Sequence, residues 1–262
     1  MCTSRWASPR SCGPARGRST TATRLWTALI AFVAAFFVVS MRNVNAVIVV
    51  ILAGAYVVVA CRREARWWPP PKRLLVELAP VVVGMALASV VQVVVNHHFS
   101  GEWSLSSYGV KFDWSRQMHR SILFSYTRGL FTYWTIIAVV LVTGFAVRRA
   151  RAWTLLFTLL IAAITGIYGF WPNWELGGGA GFGHRGFVEI VPVGIIAFAA
   201  ALSALRRPLR VLVGSVAVVC AILTFQLALQ MWNYEYPEYS ASSSVFWSHL
   251  VGSDALWRRW LP

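Results

Sequence analysis

Seven long runs of apolar residues, separated mostly by short polar or basic breaks, dominate the chain: roughly Leu25 to Met41, Val44 to Cys61, Leu74 to Val95, Leu130 to Val147, Trp153 to Trp171, Phe187 to Leu205 and Leu209 to Met231. Each holds 17 to 23 residues. At about 1.5 Å of rise per residue, a helix of that length spans or nearly spans the roughly 30 Å of bilayer hydrocarbon. Isolated strands would leave backbone amides unsatisfied in lipid, so the pattern predicts an all-α polytopic membrane bundle of about seven transmembrane helices. Only Arg42 and Asn43 clearly part the first two runs. A single helix from Leu25 to Cys61 would be far too long for one crossing, and a tight hairpin is expected instead.

Composition agrees with that pattern. Hydrophobic residues make up 58% of the 262 and charged residues 13%, too few to clothe a water-soluble surface. The net charge of +15 would suggest nucleic acid in a soluble protein. Here the cations sit in clusters between apolar runs, so their role is read as topological, with membrane lipid rather than nucleic acid as partner. Seven crossings place the termini on opposite sides. With the amino terminus inside, the inner segments hold sixteen of the 24 cations, including Arg62, Arg63, Arg66, Lys72, Arg73, Arg148, Arg149, Arg151, Arg206, Arg207 and Arg210. The longer outer segments hold eight. The positive-inside rule then gives a multi-pass protein with a cytoplasmic amino terminus and an extracytoplasmic carboxyl terminus. Residues 1–22 read as a disordered basic tail, 23–233 as the helical domain and 234–262 as an aromatic outer tail suited to interfacial docking.

Few residues suggest metal chemistry. Cys2, Cys12, Cys61 and Cys220 show no paired spacing, so neither a disulfide nor a zinc site is expected. His97 and His98 are adjacent and diverge by about 100° on a helix, which fits an interfacial pair better than a shared ligand set. Glu77 follows Arg73 by one turn, the spacing of an ion pair. No helix centre carries a clear polar series, which weakens a transporter or channel reading.

The chemistry concentrates in two outer loops. In Asn96 to Gly129, the residues Phe112, His119, Ile122, Leu123 and Tyr126 fall on one side of a helix, with Asp113, Arg116, Gln117 and Arg120 largely on the other. This predicts an interfacial helix, either a plain seal on the bundle or a platform where Arg116, Arg120 or Arg128 binds phosphate. Asp113 is the candidate base of that loop. The second loop, Trp171 to Glu189, has six glycines in the ten residues from Gly177 to Gly186. Glycine permits close backbone approach, and amides at the following helix start can bind an anion. Gly178, Gly179, Gly181, His184 and Arg185 are the candidate substrate-binding residues, with Glu175 or Glu189 orienting them. A re-entrant turn in which Arg185 pairs with Glu175 or Glu189 explains the same residues equally well.

The glycine run with Phe182-Gly183-His184-Arg185, the tryptophan-rich helix end before it and the acid and proline after it resemble bacterial membrane glycosyltransferases of the GT-C class, relatives of the dolichyl-phosphate-mannose protein mannosyltransferases. Leu123-Phe124-Ser125-Tyr126-Thr127-Arg128-Gly129-Leu130-Phe131-Thr132-Tyr133-Trp134 is similar to a segment of the same family. The resemblance covers about residues 96 to 205. It implies a bacterial plasma-membrane protein handling polyprenyl-phosphate-linked sugars at the outer face, and a divalent metal cofactor that the residues themselves do not indicate. The family places its catalytic acids in the first outer loop, which here is Arg42, Asn43 and their neighbours, without a carboxylate. The chain thus matches the carboxyl-terminal half of such an enzyme, and a separate chain supplying the other half is the partner this implies. The expected function is that of a partial glycosyltransferase; the alternative is a non-catalytic membrane subunit or remnant.

Overall fold

A computed structural model describes residues 21–41, 45–64, 71–105, 113–115, 117–171, 185–232 and 242–255, and among them the chain is all-helical, with no strand. Helix α1 is Thr21–Met41, α2 Ala46–Glu64 and α3 Pro71–Ser100. Short helices α4 (His119–Phe124) and α5 (Leu130–Tyr133) precede α6 (Ile136–Ala146) and α7 (Arg151–Tyr168). A 3-10 helix, Arg185–Ile190, leads into α8 (Val191–Ala204), followed by α9 (Arg207–Trp232) and α10 (Ser243–Leu250).

Four helical stretches are long and apolar enough to cross a membrane: Lys72–Ser100, Arg151–Tyr168, Gly186–Ala204 and Arg207–Trp232. Only 11% of the most apolar stretch of the first is buried against protein. Val82, Val90, Val211, Leu212, Ile222 and Phe225 are all exposed, a surface that lipid solvates and water does not. The apolar helices are those of a membrane-embedded protein. Leu25–Ser40, Ala46–Arg62 and Ile136–Ala146 are shorter apolar helices.

Three bodies of packing hold the described helices together, the third joining α9 and α10 around Tyr133. In the first, α1 lies along α3 at small residues. A Cβ on Gly84 would stand 2.6 Å from the Phe32 carbonyl oxygen and 3.3 Å from the Ala35 Cβ. Ala35, Val39 and Ala88 continue this seam, and Val49 of α2 joins the same cluster. Gly84 and Ala88 are the small pair, four apart, that lets two helix backbones approach closely in lipid. The second body is the main core. Ile137 and Val140 of α6, Phe157, Leu160 and Ile164 of α7, and Val193 and Ala197 of α8 close around one another. Gly144 admits Thr154 and Gly194 admits the Phe157 ring, so both contacts need the absent side chain.

Three sequence expectations change. The predicted helix 130–147 is broken: Trp134 leaves helical geometry at φ −116°, ψ 56°, and separates α5 from α6. The Thr224 hydroxyl donates to the Tyr133 carbonyl at 2.9 Å and satisfies an acceptor the break leaves open. The predicted interfacial helix reduces, among the described residues, to α4, whose Ile122 is buried in the core rather than laid on the membrane surface. The run from Phe187 begins as a 3-10 helix, and regular α geometry starts at Val191. Pro192 stands in that first turn, where a missing N–H costs nothing. By contrast, the Arg73 Nε to Glu77 Oε1 pair forms at 2.9 Å, as the spacing indicates, and Tyr56 of α2 donates to the same carboxylate. The predicted basic tail lies almost wholly outside the described residues.

Candidate functional site at the loop-bearing end

The two ends of the main core differ in kind. At one end α6 turns into α7 and α8 into α9 through short basic turns. Arg151 Nε donates to the Phe145 carbonyl at 2.9 Å, and Arg210 Nη2 to those of Ser203 and Leu205 at 3.1 and 3.0 Å. These arginines satisfy carbonyls that helix ends expose. The other end carries the long connections, and the residues singled out by sequence collect there.

The segment from Asp113 to Phe124 is docked on the end of α7. Asp113 N–H donates to the Phe170 carbonyl at 2.8 Å and Met118 N–H to that of Gly169 at 2.9 Å. The His119 ring lies against Gly169 so closely that a Cβ there would overlap it. His119 and Trp114 both meet the Phe170 ring, at centroid distances of 4.9 and 4.8 Å. Asp113, the candidate base, accepts at Oδ1 from the Ser115 N–H at 3.0 Å and the Ser115 hydroxyl at 2.6 Å. That is a turn-forming role for a short acidic side chain. Arg120 is exposed on α4, and Arg116 lies outside the described residues.

Arg128 is placed differently. It is only 2% exposed, in the turn between α4 and α5. Gly129 after it cannot carry a side chain, because a Cβ would fall 2.5 Å from both the N and O of Ser125. The Ser125 hydroxyl accepts from the Arg128 N–H at 3.2 Å, and the Tyr133 hydroxyl donates to the Tyr126 carbonyl at 2.6 Å. The turn is therefore fixed by its own hydrogen bonds, with the guanidinium drawn below the surface.

Glu189 sits near the start of α8. Its Oε1 accepts from Asn45 Nδ2 at 3.3 Å, and Asn45 also donates to the Val38 carbonyl at 3.0 Å. Asn45, itself 2% exposed, thus ties the end of α1 and the start of α2 to the start of α8. Glu189 Oε2 is buried and has no hydrogen-bond partner among the described residues. Arg185 opens the 3-10 helix that ends one residue after Glu189. Its side chain, together with Glu175, Gly178, Gly179, Gly181 and His184, lies outside what the structure describes.

Sequence reading missed a third group. Gln226 and Gln230, four apart at the loop end of α9, face inward at 7% and 0% exposure. Gln226 Nε2 donates to the carbonyls of His249 and Leu250 at 2.8 and 3.1 Å, and Gln230 Nε2 to that of Asp254 at 2.8 Å. Helix α10 is thereby held against α9, with Phe246 5.9 Å from the Tyr133 ring and 5.5 Å from Tyr126. Two glutamines at helical spacing in an otherwise apolar run are the signal that marks them. Part of the tail read as an interfacial anchor is thus a packed cover over the Tyr126 to Tyr133 turn. Tyr234, Tyr236, Tyr239, Trp257 and Trp260 lie outside the described residues.

The structure thus brings Asp113, Arg120, Arg128 and Glu189 to one end of the bundle, on three separate supports. Among the described residues no group of three or more His, Cys, Asp or Glu side chains is placed to hold a metal ion. No family model matches the chain, and comparison with curated proteins and with solved structures finds no significant match.

Proposed function

We propose that the chain is a seven-crossing protein of a bacterial plasma membrane, its basic turns cytoplasmic, that binds polyprenyl-phosphate-linked sugars at its loop-bearing, extracytoplasmic end. The observation that carries this reading is the burial of Arg128 within the very segment, Leu123 to Trp134, that resembles the GT-C glycosyltransferases. The planar fork of a guanidinium matches phosphate oxygens. Arg185 and His184, after the glycine run, supply a second cationic edge, with Glu189 or Glu175 orienting them. The short α1–α2 connection has no acid of its own, yet Glu189 reaches it through Asn45, a contact spanning 144 positions of sequence. On this reading a separate chain supplies the family's remaining acids and any divalent metal they hold.

A second reading, a lipid-sugar-binding subunit without turnover, is favoured by Asp113, whose Oδ1 is already engaged by Ser115. One experiment addresses both. The purified chain in nanodiscs is expected to bind a polyprenyl-phosphate sugar, and Arg185→Ala to weaken binding about tenfold, the worth of one charge-assisted hydrogen bond. Equal binding by Arg185→Ala would remove the glycine loop from the site. Transfer of radiolabelled sugar by membranes holding this chain alone would establish the enzyme, whereas intact binding without transfer would establish the subunit.

A further inference from the structure

The end of the bundle opposite the candidate site carries a feature that the sugar-lipid reading does not use. Residues 145–153 read Phe-Ala-Val-Arg-Arg-Ala-Arg-Ala-Trp and residues 203–211 Ser-Ala-Leu-Arg-Arg-Pro-Leu-Arg-Val, six arginines without one acid. Helix packing brings the two turns to the same end. Gly144 near the end of α6 meets Thr154 near the start of α7, so these helices run antiparallel. The 3-10 helix Arg185–Ile190, whose Phe187 and Ile190 enter the same core, packs on α7 ahead of α8, and Gly194 in the first turn of α8 meets Phe157, toward the start of α7. Helix α8 therefore also descends toward the Arg148 turn.

The six arginines divide by role. Arg151 and Arg210 spend donors on the carbonyls of Phe145, Ser203 and Leu205. Arg148, Arg149, Arg206 and Arg207 are exposed and make no ion pair among the described residues. Trp153, 42% exposed just below the first turn, is the kind of ring that settles at headgroup depth. Four guanidiniums without an ion pair among the described residues, on two turns at one end of the core, repel one another. A divalent or paired anion between them removes that repulsion, and their forks suit phosphate oxygens.

We infer that Arg148, Arg149, Arg206 and Arg207 form a binding site for the phosphate of an anionic phospholipid headgroup, seated between the α6–α7 and α8–α9 turns. Lipid rather than free phosphate is the occupant because exposed apolar side chains, Trp153 and Leu209 among them, adjoin both turns and offer an acyl chain its surface. The site does not rest on the sugar-lipid reading and lies at the far end of the core from it.

The test is lipid retention. The full chain is purified from a detergent mixture of phosphatidylglycerol, diphosphatidylglycerol and phosphatidylcholine, and bound lipid is counted by native mass spectrometry. The wild type is expected to keep the anionic lipids over phosphatidylcholine. Arg148→Gln with Arg149→Gln, or Arg206→Gln with Arg207→Gln, should weaken retention about fivefold for each arginine removed. Replacing all four by lysine should restore part of it, since charge returns without the fork. If a glutamine pair unfolds, the lysine variant still decides, because retention equal to wild type would exclude fork recognition. Equal retention by the glutamine variants, or inorganic phosphate displacing the lipid at comparable concentration, would overturn the proposal.

Discussion

Gly84→Leu is expected to separate α1 from α3 and to produce the largest loss of stability of any single change at the α1–α3 contact. The added Cβ alone would sit 2.6 Å from the Phe32 carbonyl oxygen and 3.2 Å from the Phe36 amide nitrogen, so backbone rather than a yielding side chain must move. Overpacking of this kind costs about 1–3 kcal/mol in a core that can adjust, and here the helices have to part. Gly54→Leu is the matched control, because nothing lies within 4 Å of a Cβ there. Thermal unfolding in detergent followed by circular dichroism should show a clear fall for Gly84→Leu and almost none for Gly54→Leu. Equal effects would mean that α1 and α3 do not meet at this glycine.

The second large effect concerns ligand and not fold. Arg128→Met is expected to keep the helical content of the wild type by circular dichroism, since the hydrogen bonds that fix the turn run through the Arg128 backbone N–H, Ser125, Tyr126 and Tyr133. Affinity for a polyprenyl-phosphate sugar should nevertheless fall about thirtyfold or more, the usual consequence of deleting one partner of a buried charge pair. Arg128→Lys should fall between the two, because an ammonium keeps the charge and loses the planar fork. Binding by Arg128→Met equal to wild type would remove this residue from the site. A loss of stability matching the loss of binding would make its role structural.

How much of this architecture was legible in the sequence depended on whether the determinant was periodic or three-dimensional. Apolar length alone located α1, α2, α3, α7, α8 and α9 to within a few residues, because in lipid nothing but helix satisfies the backbone of such runs. The break at Trp134 was invisible, since 130–147 is uniformly apolar and the interruption is stabilised by Thr224, 91 positions away. Of the amphipathic pattern over 112–126, only 119–124 is helical among the described residues; there the apolar side turns into the protein at Ile122, and periodicity cannot distinguish a protein core from a lipid interface. Of the candidate site residues, Arg128 and Glu189 were visible as charges in or beside the two long loops. Their burial, and the reach of Glu189 to Asn45, arise only when the helices pack. Gln226 and Gln230 escaped because no charge draws attention to them, although their spacing placed both on one face.

The central claim, that the end bearing Arg128 and Glu189 receives the lipid phosphate, is tested most directly by photocrosslinking. A polyprenyl-phosphate sugar carrying a photoreactive group beside its phosphate is bound to the full chain, irradiated, and the adducts are mapped by peptide mass spectrometry. The account predicts adducts within His119 to Trp134 and within Trp171 to Ile190 that unlabelled sugar lipid competes away and an ordinary phospholipid does not. Competable adducts confined to the Arg148 and Arg206 turns, or spread evenly along the lipid-facing helices, would contradict it.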